Sequence, residues 1–572
     1  MSDFLFSSRR LPPRTLATHL EHFLGPIVTE TTEYHGSWGS LAVARAPFDV
    51  RPVVECDGRI TALIGDPVYH GDDHSALIDD ATRLALHREL SYADLARTAA
   101  RLDGHFAALT IDAATGHGAL LTDRFCFVGA FHTTHLHGGG LVLGSHVDAV
   151  ARAAGRGGDV DLVSAADFAL HATSTFPWTL YEGVAQMLPG AIRTFCGRGW
   201  TEPPRVYWAP AEEAAFATVA EAGRALRAAM CADARAATAH TTNVDILLSG
   251  GEDSRAVLGA IPPDKRIRAV IYADWESREV RAARRAARAL GAELDVALRG
   301  PGHYLDAFEI VAAAVGSVHV FTGVHGFGFH RTHGLGDSAV VLGGLSSDSL
   351  LKNIFRKHRA ARIRDDAAIR SDLRAQILDR RMAFRDELAR LRPSSADEWM
   401  LLWPFSMRTH GGNVDGNRRL FRNHEVYHAT AVLDVAARSP AEWKRDRRLF
   451  CAATRPLLRR TWYVPHGKHR FPYFGRTANV LLRPPLMLAR VARALVTGEL
   501  RSRHDPWPEW RELAESEAMV RAERAYPVAE SPLASLFEPS SAADLRRAMQ
   551  SWNPFRRFML LQLAFVSGRA RS

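Results

Sequence analysis

Two rhythms of apolar residues divide this chain. Up to about residue 195 the apolar positions come in short alternating runs: GSLAVARA (39–46), RITALIG (59–65), HFAALTID (105–112), GALLTD (118–123) and LVLGSH (141–146). Gly, Asp and His separate them, and a period of two sets one face of each strand against a core. Between them DDHSALIDDATRLALHREL (72–90) and SYADLARTAARL (91–102) read as helices, the second with Ser91 as its N-cap. The pattern predicts an α+β unit of antiparallel sheets over residues 1–200.

The rhythm changes after a linker rich in Gly, Pro and Trp, residues 196–213. FATVAEAGRALRAAMCADARAATA (216–239) predicts a long amphipathic helix. Strands and helices then alternate. VDILL (244–248) precedes a polar turn and a helix, IRAVIYA (267–273) precedes the helix SREVRAARRAARALGAEL (277–294), and SAVVLGG (338–344) precedes the turn LSSDSLLKN (345–353). Such alternation predicts a parallel, doubly wound sheet within a second domain over 215–480. From about residue 360 the chain reads as mostly helical, with a helical C-terminal extension over 481–572.

Bulk properties change this picture little. A chain of 572 residues is too long for one core. With 47% hydrophobic and 24% charged residues it has the composition of a soluble globular protein. The net charge of +9 is mild at this length, and the excess of arginine suits phosphate or carboxylate partners. The five cysteines are scattered without a CxxC pair, which argues against a disulfide framework or zinc ribbon and fits a reducing cytoplasm. MSDFLFSSRRLPPRTLATHL (1–20) lacks an apolar signal core. NVLLRPPLMLARVARALV (479–496) is broken by Arg483, Pro484, Pro485, Arg490 and Arg493, so it does not read as a membrane span. Neither a membrane nor a nucleic acid is expected as partner.

The candidate chemistry lies in ILLSGGEDSRAVLGAI (246–261), where an apolar strand stops at a serine and two glycines and a helix begins. Gly250 and Gly251 let a ligand approach the backbone closely, and free N–H groups at the helix start favour an anion. Ser249 and Ser254 add hydroxyls. Asp253 suits a phosphate only through a bridging Mg²⁺ ion. The loop therefore reads as a holder for Mg-pyrophosphate, and it is neither a Walker A nor a dinucleotide motif.

SGGEDS resembles the PP-loop, SGGxDS, of the ATP pyrophosphatase superfamily, whose members cleave ATP between its α- and β-phosphates and adenylate a substrate. The stretches RLDGHFAALTID, LLTDRFCFVGAFH, LVLGSHVDAVA and TLYEGVAQMLPGAIRTF are similar to the asparagine synthetase-like enzymes within it. The resemblance covers roughly residues 30–475. It implies an N-terminal class II glutamine amidotransferase-like domain of Ntn type, followed by the PP-loop ATPase domain. It also implies ATP and Mg²⁺ as cofactors. Asp348, in the turn GGLSSDS (343–349), matches the aspartate of the family's second acidic turn and would share Mg²⁺ with Asp253. In KRDRRLFCAATRP the family's spaced Lys, Arg and Pro fall on Lys444, Arg448 and Pro456, with Lys444 stabilising charge during acyl transfer. Lys468 is the rival lysine. Adenine would lie against AVIYA (269–273), read by the backbone at Val270 and Tyr272.

Two positions depart from the family. Glutamine-dependent members use an N-terminal cysteine as nucleophile, whereas position 2 here is Ser2 and the first cysteine is Cys56. Leu345 stands where asparagine synthetases have glutamate and β-lactam synthetases tyrosine. His319, His325, His330 and His333 offer alternative bases, with loop histidines of no catalytic role as the plainer reading. Arg255 either contacts a phosphate or substrate carboxylate or faces solvent. The expectation is an AMP-forming carbon–nitrogen ligase that couples a carboxylate to an amine, as in lasso-peptide cyclisation during natural-product biosynthesis. Its substrate is then a small molecule or peptide, with other biosynthetic proteins as possible company. The alternatives are glutamine-dependent asparagine synthesis, amidation of a polysaccharide sugar, and an inactive binding partner in a biosynthetic complex.

Overall fold

The computed structural model describes the chain apart from residues 72–74, 79–85, 88, 91–93, 134–139, 198, 353–367, 410, 468–469, 498–505, 539–548 and 550–551. The N-terminal part is built on antiparallel sheets. One is centred on Asp3–Ser7 paired with Gly39–Arg45, the other on Phe106–Asp112 between Arg59–Gly65 and His117–Thr122. Alternation along the strands sorts the side chains. Phe4, Phe6, Leu41 and Val43 meet Ile60, Ile64, Leu109 and Leu120 between the sheets. Leu5, Ala42 and Ala44 face the opposite way, onto the helices Thr15–Leu24, Val147–Ala153 and Leu162–His171. The layers are thus helix, sheet, sheet and, beyond Leu63, Ala108 and Leu121, the helix Leu95–Arg101.

Two local expectations change. Ser75–Leu77 is a strand antiparallel to Val68–His70, where helical spacing was read, because Ala76 and Leu77 are buried at its sheet edge. The following helix is capped by Asp94, whose carboxylate accepts from Ala96 N; Ser91 lies outside the described residues.

The second part holds a parallel sheet of β1 (Asn243–Leu247), β2 (Arg266–Ala273), β3 (Glu293–Leu298), β4 (Val341–Gly343) and β5 (Asn423–Glu425). Their spatial order is β3-β2-β1-β4-β5. Both faces are covered. Val244, Ile246, Ala269, Ile271 and Leu342 pack on one side with Leu226, Val257 and Val280, and Val270 and Val341 on the other with Val311 and Val315. The strand order reverses between β1 and β4, the place where open parallel sheets leave a crevice at their carboxyl ends.

The C-terminal part is helical as read, yet it is no appendage. Helix Pro554–Arg571 buries Phe558, Leu560, Leu561, Leu563 and Phe565. Its Gln562 amide donates to the carbonyls of Gly316 (2.6 Å) and His319 (2.7 Å) and accepts from Phe321 N at 3.0 Å. Ion pairs fasten the N-terminal sandwich to the parallel-sheet part. Asp3 binds Arg418 (2.9 Å) and Arg419 (2.7 Å), and Asp103 accepts from Thr430 N and Oγ1 at 2.7 and 2.6 Å. Among the described residues no helix is long and apolar enough to cross a membrane.

Candidate functional site

Two polar turns meet at the strand-order switch. After β1, Leu248 N still donates to Val270 O (2.9 Å), and the chain then breaks away through Ser249–Gly251 into helix α1 (Glu252–Ala260). The Ser249 and Ser254 hydroxyls lie 3.1 Å apart; Ser249 N donates to Ser254 Oγ (3.0 Å) and Gly251 N to Ser249 Oγ (3.0 Å). A Cβ on Gly250 would stand 2.6 Å from the carbonyl oxygen of Glu279, so only glycine lets the loop lie under the following helix. A Cβ on Gly344, in the turn after β4, would come within 3.0 Å of Ser254 Cα. The two turns are therefore in contact.

Arg255 does neither of the things its position suggested. It is fully buried, donating to the carbonyls of Gly250 (2.7 Å), Val464 (2.7 Å) and Pro465 (3.0 Å). Burial lowers its pKa to about 10. The guanidinium clamps the loop to a segment some 210 residues further on.

The expected metal ligands Asp253 and Asp348 are brought together, with Glu252 as a third carboxylate; one oxygen of each lies within 4.8 Å of the others. Between them sits the ammonium of Lys352. Its Nζ is 2.8 Å from Glu252 Oε1 and 2.9 Å from Asp348 Oδ1, and it donates to Asp253 as well. Arg447 and Arg470 close on Glu252 from the other side, Arg470 at 2.9 Å. Burial raises the pKa of Asp253, while the Lys352 ammonium pulls the other way. Burial also opposes charge on Glu252 and Asp348, but the surrounding cations, Lys352 foremost, together outweigh it and lower both pKa values. The donors fit an ammonium. A Mg²⁺ ion needs oxygens at about 2.0–2.1 Å, and at those distances from the same oxygens it would overlap Nζ, so the group as arranged does not fit that ion.

A second shell of groups stands beside the acidic turn. Leu345 N donates to Glu425 Oε2 (2.8 Å), at the end of β5, and burial raises the pKa of this carboxyl. Arg408 lies close enough to Asp348 and Glu425 for both to act on it, while burial pulls it down to about 10; its Nε is buried without a hydrogen-bond partner among the described residues. His105 and His428 share a 2.7 Å hydrogen bond, and His428 bonds Ser346. Burial holds His428 well below the usual histidine range, and His105 at about 3. Tyr427 Oη donates to Asp253 O (3.2 Å).

The remaining expected residues fall elsewhere or at the rim. β1 ends at Leu247 opposite Val270, so β2 runs on to Ala273 with no β1 residue beside it. Val270 is buried, and Tyr272 stacks on Phe329, its hydroxyl without a hydrogen-bond partner among the described residues. Lys444 is buried against Glu398 (2.8 Å) and the face of Trp399, with no bond to the acidic group. Arg448 is exposed. Lys468 lies outside the described residues. His319 and His330 are buried and lowered to about 4, while His325 bonds Tyr304 Oη and His333 bonds Asp295. Ser2 is buried, its hydroxyl bonded to Asp49 Oδ2 at 2.6 Å.

Glu252, Lys352, Glu425, Arg408, Arg447 and Arg470 were not singled out from the sequence. Glu252 sat inside the quoted loop and could have been; the others carry no motif and meet only through the fold. No family model matches the chain, and no curated protein matches it.

Proposed function

We propose that this chain is an ATP-dependent, AMP-forming ligase that joins a carboxylate to an amine. One observation carries the reading: the two polar turns abut at the carboxyl-end crevice where the strand order reverses. A nucleotide there sets its phosphates on the N-terminus of α1 and on the Ser249 and Ser254 hydroxyls, with adenine along β2 past Val270, at the uncovered Ile271–Ala273. A substrate carboxylate oxygen attacks the α-phosphorus, the bond to the β-phosphate oxygen breaks, and pyrophosphate leaves. The amine then attacks the acyl carbon, AMP departs, and the amine proton passes to a base.

Glu425 suits that base, since burial already favours its protonated form. Arg408, whose Nε has no hydrogen-bond partner among the described residues, suits the developing negative charge better than Lys444, whose ammonium is engaged by Glu398. The layered N-terminal part is in keeping with an amidotransferase-like scaffold, and the buried Ser2 with an amine that does not come from glutamine. The amine and carboxylate then belong to the substrate itself, as in a peptide macrocyclisation. A second reading, a silent binding partner, draws on Lys352, which fills the place expected for the metal.

Labelled ATP incubated with a pool of cell metabolites and peptides separates the two. AMP and pyrophosphate formed by wild type and absent with Asp253→Ala support the ligase. Glu425→Gln should then still release pyrophosphate but lose amide product by about 10²-fold or more. No turnover with either protein favours the silent partner, and ADP with phosphate contradicts the adenylation.

A further inference from the structure

The carboxylates at the strand ends already have their cation. Lys352 closes the short helix Ser347–Lys352, one turn after Asp348, so its side chain returns toward the turn. Its ammonium donates to Asp253 and to Asp348 (2.9 Å) and pairs with Glu252 at 2.8 Å. The side chain is 3% exposed, and its Nζ sits 4.2 Å from the ring centroid of Phe450. Arg447 and Arg470 bind the same Glu252. Glu252, Asp253 and Asp348 thus face Lys352, Arg447 and Arg470, which counter their charge without a metal. A divalent ion taking these oxygens would have to displace the ammonium from its three partners, and separating a buried charge from its counter-charges is costly.

We propose that Lys352 is a resident cation in place of the divalent ion, holding the two turns together so that the site binds pyrophosphate groups without Mg²⁺. The inference rests on the nucleotide site proposed above. Lys352 does not itself touch phosphate, because its ammonium is held among the three carboxylates and its side chain is buried. The phosphates are met by the Ser249 and Ser254 hydroxyls, the N–H groups opening α1, and Arg470, whose side chain is one-third exposed. Lys352 acts as a positioning residue, setting Asp253 and Asp348 and removing the negative charge that would repel the anion.

Titration calorimetry of wild type with inorganic pyrophosphate and with ATP, in EDTA and in Mg²⁺, tests this without any variant. The affinities should agree within about threefold. In Lys352→Ala the freed carboxylates should take up one Mn²⁺ ion, seen as loss of the free-ion paramagnetic resonance signal. Mn²⁺ should raise the melting temperature of this variant and leave that of wild type unmoved, and pyrophosphate binding by the variant should now require a divalent ion. Wild type that binds pyrophosphate about tenfold or more tighter with Mg²⁺ overturns the resident cation and leaves the nucleotide site standing. Wild type that binds neither ligand in either condition removes the nucleotide site and this proposal with it. If Lys352→Ala does not fold even with Mn²⁺, the wild-type titrations decide.

Discussion

Arg255 ties three backbone carbonyls with one side chain, and its removal should be felt in both folding and binding. Arg255→Ala leaves Gly250, Val464 and Pro465 carbonyls without their donor. We expect a loss of about 3 kcal/mol in denaturant melts and weaker ATP binding, because the loop is no longer pinned. Lys444 gives a contrasting case. Lys444→Met removes the buried ion pair with Glu398 and the contact with Trp399 and should destabilise by about 2 kcal/mol, while the rate of amide formation at saturating substrate stays within about threefold of wild type. A much larger fall in that rate would return Lys444 to the chemistry. At this scale the sequence disclosed what lies contiguous in the chain: Ser249 to Ser254 form one strand–turn–helix phrase. Lys352 reaches Asp253 across 99 positions and Glu425 reaches Leu345 across 80, distances over which no periodicity or spacing runs.

Among elements, the helix Arg278–Leu290 lies so close to the Ser249–Gly251 loop that its own backbone fixes the loop's residue type. Gly250→Ala would drive a Cβ to 2.6 Å from a carbonyl oxygen and 2.9 Å from a Cα of Glu279, neither able to swing away. We expect about 2–3 kcal/mol of destabilisation and loss of ATP binding. Gly300→Ala, where nothing lies within 4 Å, is the neutral control for both measurements. The strands β1, β2 and β4 were legible because each is an apolar run that ends in a polar turn. β3 was not, since GAEL read as the end of the preceding helix. Gly291, at φ 80°, ends that helix with a left-handed C-cap, and weighting that glycine would have freed Glu293–Leu298 as a strand. β5 is three residues long inside a helical stretch, too short for any pattern, and it is held by pairing with β4.

For the molecule as a whole, buried ion pairs decide how it responds to acid. Burial works against charge on Asp415, but Arg419 and Arg418 overcome it and hold the carboxyl at about 2; Asp103 is likewise held at about 2 against burial by His70 and Arg124. Both folded values lie below the ordinary carboxylate range, so their contribution is present above about pH 4 and is lost as pH falls toward 2, at about 2 kcal/mol each. Acid unfolding followed by tryptophan fluorescence should therefore steepen between pH 4 and 2, and Asp415→Asn should move that transition to higher pH. The two-part division of the chain was visible from the change of apolar rhythm. The closeness of the two parts was not, because paired buried charges look like surface charges in a sequence.

The same pairs bear on what evolution can discard. Arg418 and Arg419, inside the parallel-sheet part, are neutralised by Asp3 on the first strand of the other part as well as by Asp415. Deleting the N-terminal layers strips buried guanidinium groups of a counter-charge and opens the faces those layers cover. The first half is thereby a foundation for the second, and the two are kept or lost together.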